Sequence, residues 1–263
     1  MPNKLNLSKD KVCIVSYSKS MEDSNLGKHI NSFDKVVRIN NGINILDKKD
    51  LGSKCDMFAC SFFGGKVALI EACYERLNKK KLSIYEILSK KKTEVIFVFT
   101  NNKSHYDNDE FTKNKEKFNI IITNQENPII YYMITTGLCT IITILQAKPK
   151  ELFVCGFDFT MYLYRGYDDL YRIYGGKFVE RLNKTYEEYQ DLYHSTVFEK
   201  YILKKLWKKF NFTMDENMVK MLEELDISDM DNRLFQKILK GKLFQDTYIN
   251  YYNDIIKIIE SPL

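Results

Sequence analysis

Proton transfer, nucleotide capture and sugar recognition each need particular side chains, and this chain offers a small set of them. His194, one of three histidines, stands at the expected N-terminus of a helix that runs on to Trp207. The positive end of the helix dipole favours a neutral imidazole there, able to accept a proton; a residue that only caps the helix would sit in the same place. Thr135-Thr136-Gly137 puts two hydroxyls and a glycine where an apolar β-run gives way to a helix, so they can cap its start and let a ligand approach the backbone. Ser16-Tyr17-Ser18 opens a second polar turn after the strand candidate Lys11–Val15. Its hydroxyls and amides can meet a nucleotide, and an ordinary capped helix has the same composition. Asn40-Asn41-Gly42 closes a third strand candidate with amides that donate and accept at once, as recognition of a base or sugar requires; a plain turn explains the same residues.

Other chemistry is less well served. Asp107-Asn108-Asp109 has the spacing of a metal-binding DxD triplet but lies in a charged, loop-like stretch, 101–119. The six cysteines form no CxxC pair and have no histidine at ligand spacing, so they read as reduced core residues. No metal and no cofactor are expected. Between Thr160 and Tyr193 the chain is rich in tyrosine, with Gly166, Gly175 and Gly176 among them. This composition suits a mobile lid lined with phenols, and equally a surface loop. Tyr162, Tyr164 and Tyr167 are the nearest hydroxyls that could stabilise a departing phosphate.

The elements that must position these groups follow from apolar runs and breakers. Strands are predicted at Lys11–Val15, Lys35–Ile39, Cys55–Cys60 (ending at Ser61), Glu94–Phe99, Ile129–Ile134 and around Leu152–Val154. Helical spacing covers about 66–88, and Leu138, Ile141, Ile142 and Leu145 form a helix that Lys148-Pro149-Lys150 ends. The run from 129 to 154 thus reads as a strand, turn, helix and strand, a βαβ unit on a parallel sheet. The uncharged stretch from Pro128 to Ala147 is long enough for a bilayer, but Thr135-Thr136-Gly137 splits it and Thr140, Thr143 and Gln146 make a poor lipid-facing helix.

The balance of 40 Lys+Arg against 35 Asp+Glu leaves a net charge of +5, too mild to argue for nucleic acid, though compatible with an acidic substrate or an anionic surface. The first ten residues are polar, which predicts no signal peptide and a cytoplasmic location, with peripheral membrane contact through the basic helical C-terminus. Oligomer formation is left open by the sequence.

Four of these segments, taken in order, resemble the motifs of sialyltransferases. Val36–Gly42 (VVRINNG) resembles the L motif of the animal enzymes. TTGLCTI together with ELFVCGFDF resembles the S motif, and YHSTVFEK resembles the VS motif, a His followed five positions later by a Glu. The compact spacing is closer to the bacterial lipo-oligosaccharide sialyltransferases, and the similarity spans roughly 11–210. The resemblance implies a CMP-sugar donor as co-substrate, a glycan or glycolipid acceptor, and His194 as catalytic base. It places Asn40, Asn41, Thr135, Thr136, Gly137, Phe157 and Asp158 at the donor, with Ser16, Tyr17, Ser18 and Ser61 at the matching turns. Family members carry Gly-Asn where this chain has Ser16-Tyr17. The bacterial relatives carry Asn where it has Ser61 and a basic residue where it has Met133. These departures point to a different nonulosonic sugar or to a silent relative. Glu199 lies beyond the same-face spacing from His194 and is assigned to helix-end or lid contacts.

The expected architecture is an α/β, single Rossmann-like domain: a mostly parallel sheet flanked by helices, of the GT-A-variant sialyltransferase type. It would comprise a nucleotide-sugar domain over 1–210 with a lid at about 160–193, and a helical extension over 211–263 packed on it. The expected activity is metal-independent inverting transfer of sialic acid or a related ketosugar. The alternatives are a silent nucleotide- or glycan-binding relative and a generic Rossmann nucleotide enzyme, though neither GxGxxG nor GxxxxGK[ST] is present.

Overall fold

Apolar runs of four to six residues, too short for buried helices and rich in Val, Ile and Phe, pair side by side into one sheet. The computed structural model describes residues 5–44, 47–61, 64–99, 109–123, 135–157, 196–225 and 245–260. In chain order the strands are β1 (Lys11–Val15), β2 (Lys35–Ile39), β3 (Met57–Cys60), β4 (Val95–Phe99), β5 (Asn119–Thr123), β6 (Glu151–Cys155) and β7 (Thr213–Met214). They lie in the order β5-β4-β3-β2-β1-β6-β7, and each pairing is parallel. Both faces of the central strands are buried, which is why, past a charged first residue in β1, β2 and β6 and apart from the buried Arg38, their sequences are apolar without alternation. This is an α/β Rossmann-like fold.

The helices are α1 (Gly27–Asn31), α2 (Gly64–Asn78), α3 (Ile84–Lys91), α4 (Asp109–Asn114), α5 (Thr136–Gln146), α6 (Thr196–Phe210), α7 (Glu216–Glu223) and α8 (Gln245–Glu260). On one face, Val12, Ile14, Val37, Ile39, Met57, Phe97 and Val154 share a core with α5, α6 and α8. On the other, Cys13, Val15, Val36 and Phe153 meet Ile30 of α1, while Phe58, Ile96 and Val98 meet Ile70 of α2 and Ile84 and Leu88 of α3.

Several sequence expectations change. The helix expected over about 66–88 is two: α2 ends at Asn78, Lys79 turns left-handed at φ 54°, and Ser83 starts α3 with a capping box. Glu86 returns its carboxylate to the Ser83 amide at 2.8 Å, so the Ser-x-x-Glu signature was readable in the sequence. The stretch expected to be a loop to residue 119 contains α4 and leads straight into β5, whose Ile120, Ile121 and Ile122 pair with β4 at the sheet's far edge. The β-run expected at 129–134 lies outside the described residues.

α5 is 11 residues long and buried along nearly its whole length, and it lies over β2, β3 and β4. Thr140 and Thr143 are accommodated in this core because each hydroxyl donates to the carbonyl four residues back, at 2.6 and 2.9 Å. Lys148 adopts φ 54° just before Pro149, which ends the helix. Among the described residues no helix is long and apolar enough to cross a membrane. No disulfide joins the six buried cysteines.

After α6 the chain contributes β7 to the sheet, and Ile255 and Ile259 of α8 join the core beneath α5. Within the segment expected as a helical extension packed on the domain, 211–263, the described residues thus add a strand to the sheet and side chains to its core.

Candidate functional site

Strand order decides where a ligand can enter. β1 through β5 extend in one direction, whereas β6 returns to the opposite side of β1, so the order reverses between β1 and β6. In open α/β sheets the crevice beyond the carboxyl ends at such a reversal is the binding place, because the flanking connections diverge there and leave backbone groups uncovered. Ser16, Asn40, Ser61 and Phe157 follow β1, β2, β3 and β6 respectively, all at this edge.

Hydrogen bonds and close packing join these turns. The Ser16 amide donates to the Cys155 carbonyl at 3.0 Å and the Ser18 amide to the Gly156 carbonyl at 3.3 Å, prolonging the β1–β6 ladder past both strands. The Ser18 hydroxyl is held at 2.5 Å by that of Ser20. The Tyr17 ring lies against Gly42, where a Cβ would stand 3.1 Å from Cδ1. Thr136 donates through its hydroxyl to Ser61 Oγ at 3.4 Å, joining the start of α5 to the end of β3. Phe157 covers Gly137 so closely that a Cβ there would sit 2.4 Å from the ring, and this contact is what requires glycine at that position.

Asn40 carries an unused acceptor in the turn after β2. It takes the left-handed conformation at φ 46°, tolerable for asparagine, and among the described residues its buried Oδ1, like that of Asn44, finds no hydrogen-bond partner. The turn that carries it is pinned to α2, because Asn44 donates from its amide nitrogen to the Ile70 carbonyl at 2.8 Å. Arg38, two residues earlier, does not reach the edge: its guanidinium is 3% exposed and donates to the Lys54 and Leu51 carbonyls, holding the loop before β3. Burial alone lowers its pKa from the usual arginine value.

A carboxylate assigned to helix-end or lid contacts lies at the centre of this layer. Glu199 is fully buried, with Oε1 accepting from the Thr135 amide and Oε2 3.1 Å from the Thr135 hydroxyl. Burial pushes its pKa up to about 8, against the opposing effect of the two Thr135 contacts. Neutral pH thus leaves it largely protonated. Glu199 belongs to the stripe formed with Ile202, Leu203 and Leu206, all 0% exposed. That spacing of three, four and seven places an acid on the apolar face of α6, a signal present in the sequence. Through it α6 is tied to Thr135, the N-cap of α5, whose hydroxyl also accepts from the Leu138 amide at 3.4 Å.

Of the residues singled out from sequence, Ser16, Tyr17, Ser18, Asn40, Asn41, Ser61, Thr135, Thr136, Gly137 and Phe157 come together at one sheet edge. Asp158, Tyr162, Tyr164, Tyr167 and His194 lie outside the described residues, as do the lid segment and Asp107 and Asn108. Among the described residues no cluster of three or more His, Cys, Asp or Glu side chains could hold a metal ion.

No family model matches this chain, and no curated protein matches it. Among solved structures it is similar to a mammalian sialyltransferase crystallised with Gal-β-1,3-GalNAc-ortho-nitrophenol. That match has 15% sequence identity and a TM-score of 0.38, over 66% of this chain and 67% of the other.

Proposed function

We propose that this chain is a metal-independent inverting glycosyltransferase that moves sialic acid or a related ketosugar from a CMP-sugar to a glycan or glycolipid hydroxyl. One observation carries the reading. Turns from three separate stretches of the chain meet at the sheet's reversal point, and one of them holds the unpaired amide oxygen of Asn40. An unpaired buried acceptor is costly unless a ligand donor completes it, and the exocyclic amine of cytosine or a ribose hydroxyl would do so. The motif series VVRINNG, TTGLCTI, ELFVCGFDF and YHSTVFEK supports the same donor.

In this reading the acceptor oxygen attacks the anomeric carbon as its proton passes to the His194 imidazole. The bond from that carbon to the phosphate oxygen breaks, and CMP leaves with the electron pair. The transition state is oxocarbenium-like, so the residues must remove a proton on one side and spread phosphate charge on the other. His194 is assigned the first task and the hydroxyls of Tyr162, Tyr164 and Tyr167 the second. Thr135, Thr136, Gly137, Phe157 and Asp158 are assigned to the donor. Peripheral contact with a membrane surface would bring a glycolipid acceptor to this edge.

A second reading, a silent nucleotide- or glycan-binding relative, is favoured by the Tyr17 ring, which fills the space over Gly42. Incubation with several CMP-ketosugars and a glycan acceptor in EDTA separates the two. Release of CMP with transfer of the sugar is the expected result. Thermal stabilisation by CMP without release from any donor would establish the silent binder, and activity that needed added Mn²⁺ would overturn metal independence.

A further inference from the structure

Asp215 belongs to the last part of the chain, where the sequence pointed to no chemistry. It is 7% exposed and caps α7, with Oδ1 accepting from the Met218 amide at 3.0 Å. Capping needs one acceptor oxygen, and serine or threonine would supply it about as well. The second oxygen has a separate partner: Oδ2 accepts from the Gly156 amide at 2.8 Å, while the Asp215 amide donates to the Val154 carbonyl at 3.2 Å. One residue therefore grips both sides of the carboxyl end of β6.

Gly156 is where the turns of the candidate site converge. It is held at φ 75°, and a Cβ there would lie 2.9 Å from both the Ser16 carbonyl oxygen and Met21 Cγ. Its carbonyl accepts from the Ser18 amide, and the next residue, Phe157, presses on Gly137 at the start of α5. Displacing Gly156 would thus disturb the β1 turn and the α5 N-terminus together. A buried carboxylate in place of a simpler cap makes sense only if the second amide matters, since burying the group without a cation opposes its ionisation.

We propose that Asp215 is a positioning residue for nucleotide binding: its second carboxylate oxygen sets the Gly156-Phe157 turn, and through it the Ser16–Ser18 turn and the Gly137 end of α5. This rests on the reading above that the edge binds a CMP-sugar.

Asp215→Ser and Asp215→Ala in the full chain separate the two roles. Serine keeps the cap on Met218 but is too short to reach Gly156; alanine loses both. Asp215→Ser is expected to hold most of the stability that Asp215→Ala loses in urea unfolding, while its Kd for CMP rises about tenfold, the loss expected of one charge-assisted hydrogen bond. Amide hydrogen exchange at Ser16 and Ser18, whose amides donate to the Cys155 and Gly156 carbonyls, should accelerate in both variants. If Asp215→Ser does not fold, Asp215→Asn, whose single amide oxygen can serve only one of the two N–H groups, makes the same comparison. Unchanged CMP affinity in a folded Asp215→Ser protein, or unchanged exchange at Ser16 and Ser18, would reduce Asp215 to a helix cap. Failure of the unmutated protein to bind CMP would instead sink the donor reading, and the exchange comparison would still decide whether Asp215 sets the turns.

Discussion

The two edges of the same sheet are built from different materials. At the amino edge the strands begin with charges that satisfy one another: Lys11 meets Glu151 at 2.7 Å, Lys35 meets Glu94 at 2.5 Å, and Asp56 accepts from the Val36 amide at 2.7 Å. These groups keep access to water and hold neighbouring strands in register. At the carboxyl edge the turn residues are serine, threonine, tyrosine, asparagine, glycine and phenylalanine, and the acid behind them, Glu199, is buried and largely protonated. There the contacts are van der Waals packing and hydrogen bonds, some through the buried carboxyl groups of Glu199 and Asp215, and among the described residues Asn40 keeps an acceptor unused. An edge that pairs its own charges needs no ligand. An edge whose turns carry mostly neutral donors and acceptors, shaped by close packing, can exchange one set of partners for another at small cost.

That contrast predicts mutational effects falling from the carboxyl edge to the amino edge. The largest effect expected under the proposed function belongs to His194, which lies outside the described residues. If His194 is the base as proposed, His194→Ala is expected to lose sugar transfer by at least about two orders of magnitude while CMP still binds, since loss of a general base raises the barrier without removing donor contacts. The rate should also lose its acidic limb in the mutant. Near-normal transfer with only a lowered melting temperature would leave His194 as a cap.

Glu199 comes next. Because its folded pKa of about 8 lies above the usual carboxylate value of 4.5, the folded state holds a proton that the unfolded state releases. Its contribution is complete below the unfolded value and is lost as pH rises toward the folded one, an effect of a few kcal/mol. Glu199→Gln can accept from the Thr135 amide and donate to its hydroxyl, so it should flatten this part of the stability profile between pH about 5 and about 9. Glu199→Ala, which removes the acceptor of the Thr135 amide, should cost about 1–3 kcal/mol. An unchanged pH slope in the glutamine variant, followed by urea unfolding, would show that Glu199 does not titrate in this range.

Gly137→Ala tests the packing half of the contrast. A methyl group 2.4 Å from the Phe157 ring must displace it, at about 1–3 kcal/mol, and CMP affinity should fall with the shift of the α5 terminus. Calorimetric titration with CMP that matched the unmutated protein would place nucleotide away from this terminus. At the amino edge Lys35→Ala should change stability by less than about 1 kcal/mol and leave CMP binding unaltered, because its partner Glu94 is largely in water. A loss of binding from Lys35→Ala would erase the distinction between the edges.

Much of the layer was legible because buried parallel strands announce themselves. The runs expected at 11–15, 35–39, 94–99 and 152–154 are apolar apart from Lys11, Lys35, Arg38 and Glu94, and each corresponds to a strand. β5 was hidden, since Ile120-Ile121-Ile122 follows a charged stretch and is bounded by polar residues. The capping box at Ser83 was present but outweighed by helical spacing on either side. Around the site, sequence pointed to the turns after β1 and β2 and before α5. The distance between Thr136 and Ser61, 75 positions apart, could not be read from it.

Sequence by itself determined which elements form and which short polar turns follow them, because strand and cap preferences depend on neighbours within a few residues. Tertiary structure alone decided that β6 lies beside β1, and so which turns share an edge. It also decided that Glu199 faces Thr135 and that Asp215 holds Gly156. In the chain Asp215 looks like an ordinary helix cap, and Glu199 is marked only by its place on an apolar stripe. Their roles arise because burial removes the water that would otherwise satisfy them, and which side chains are buried together is settled only when distant segments pack.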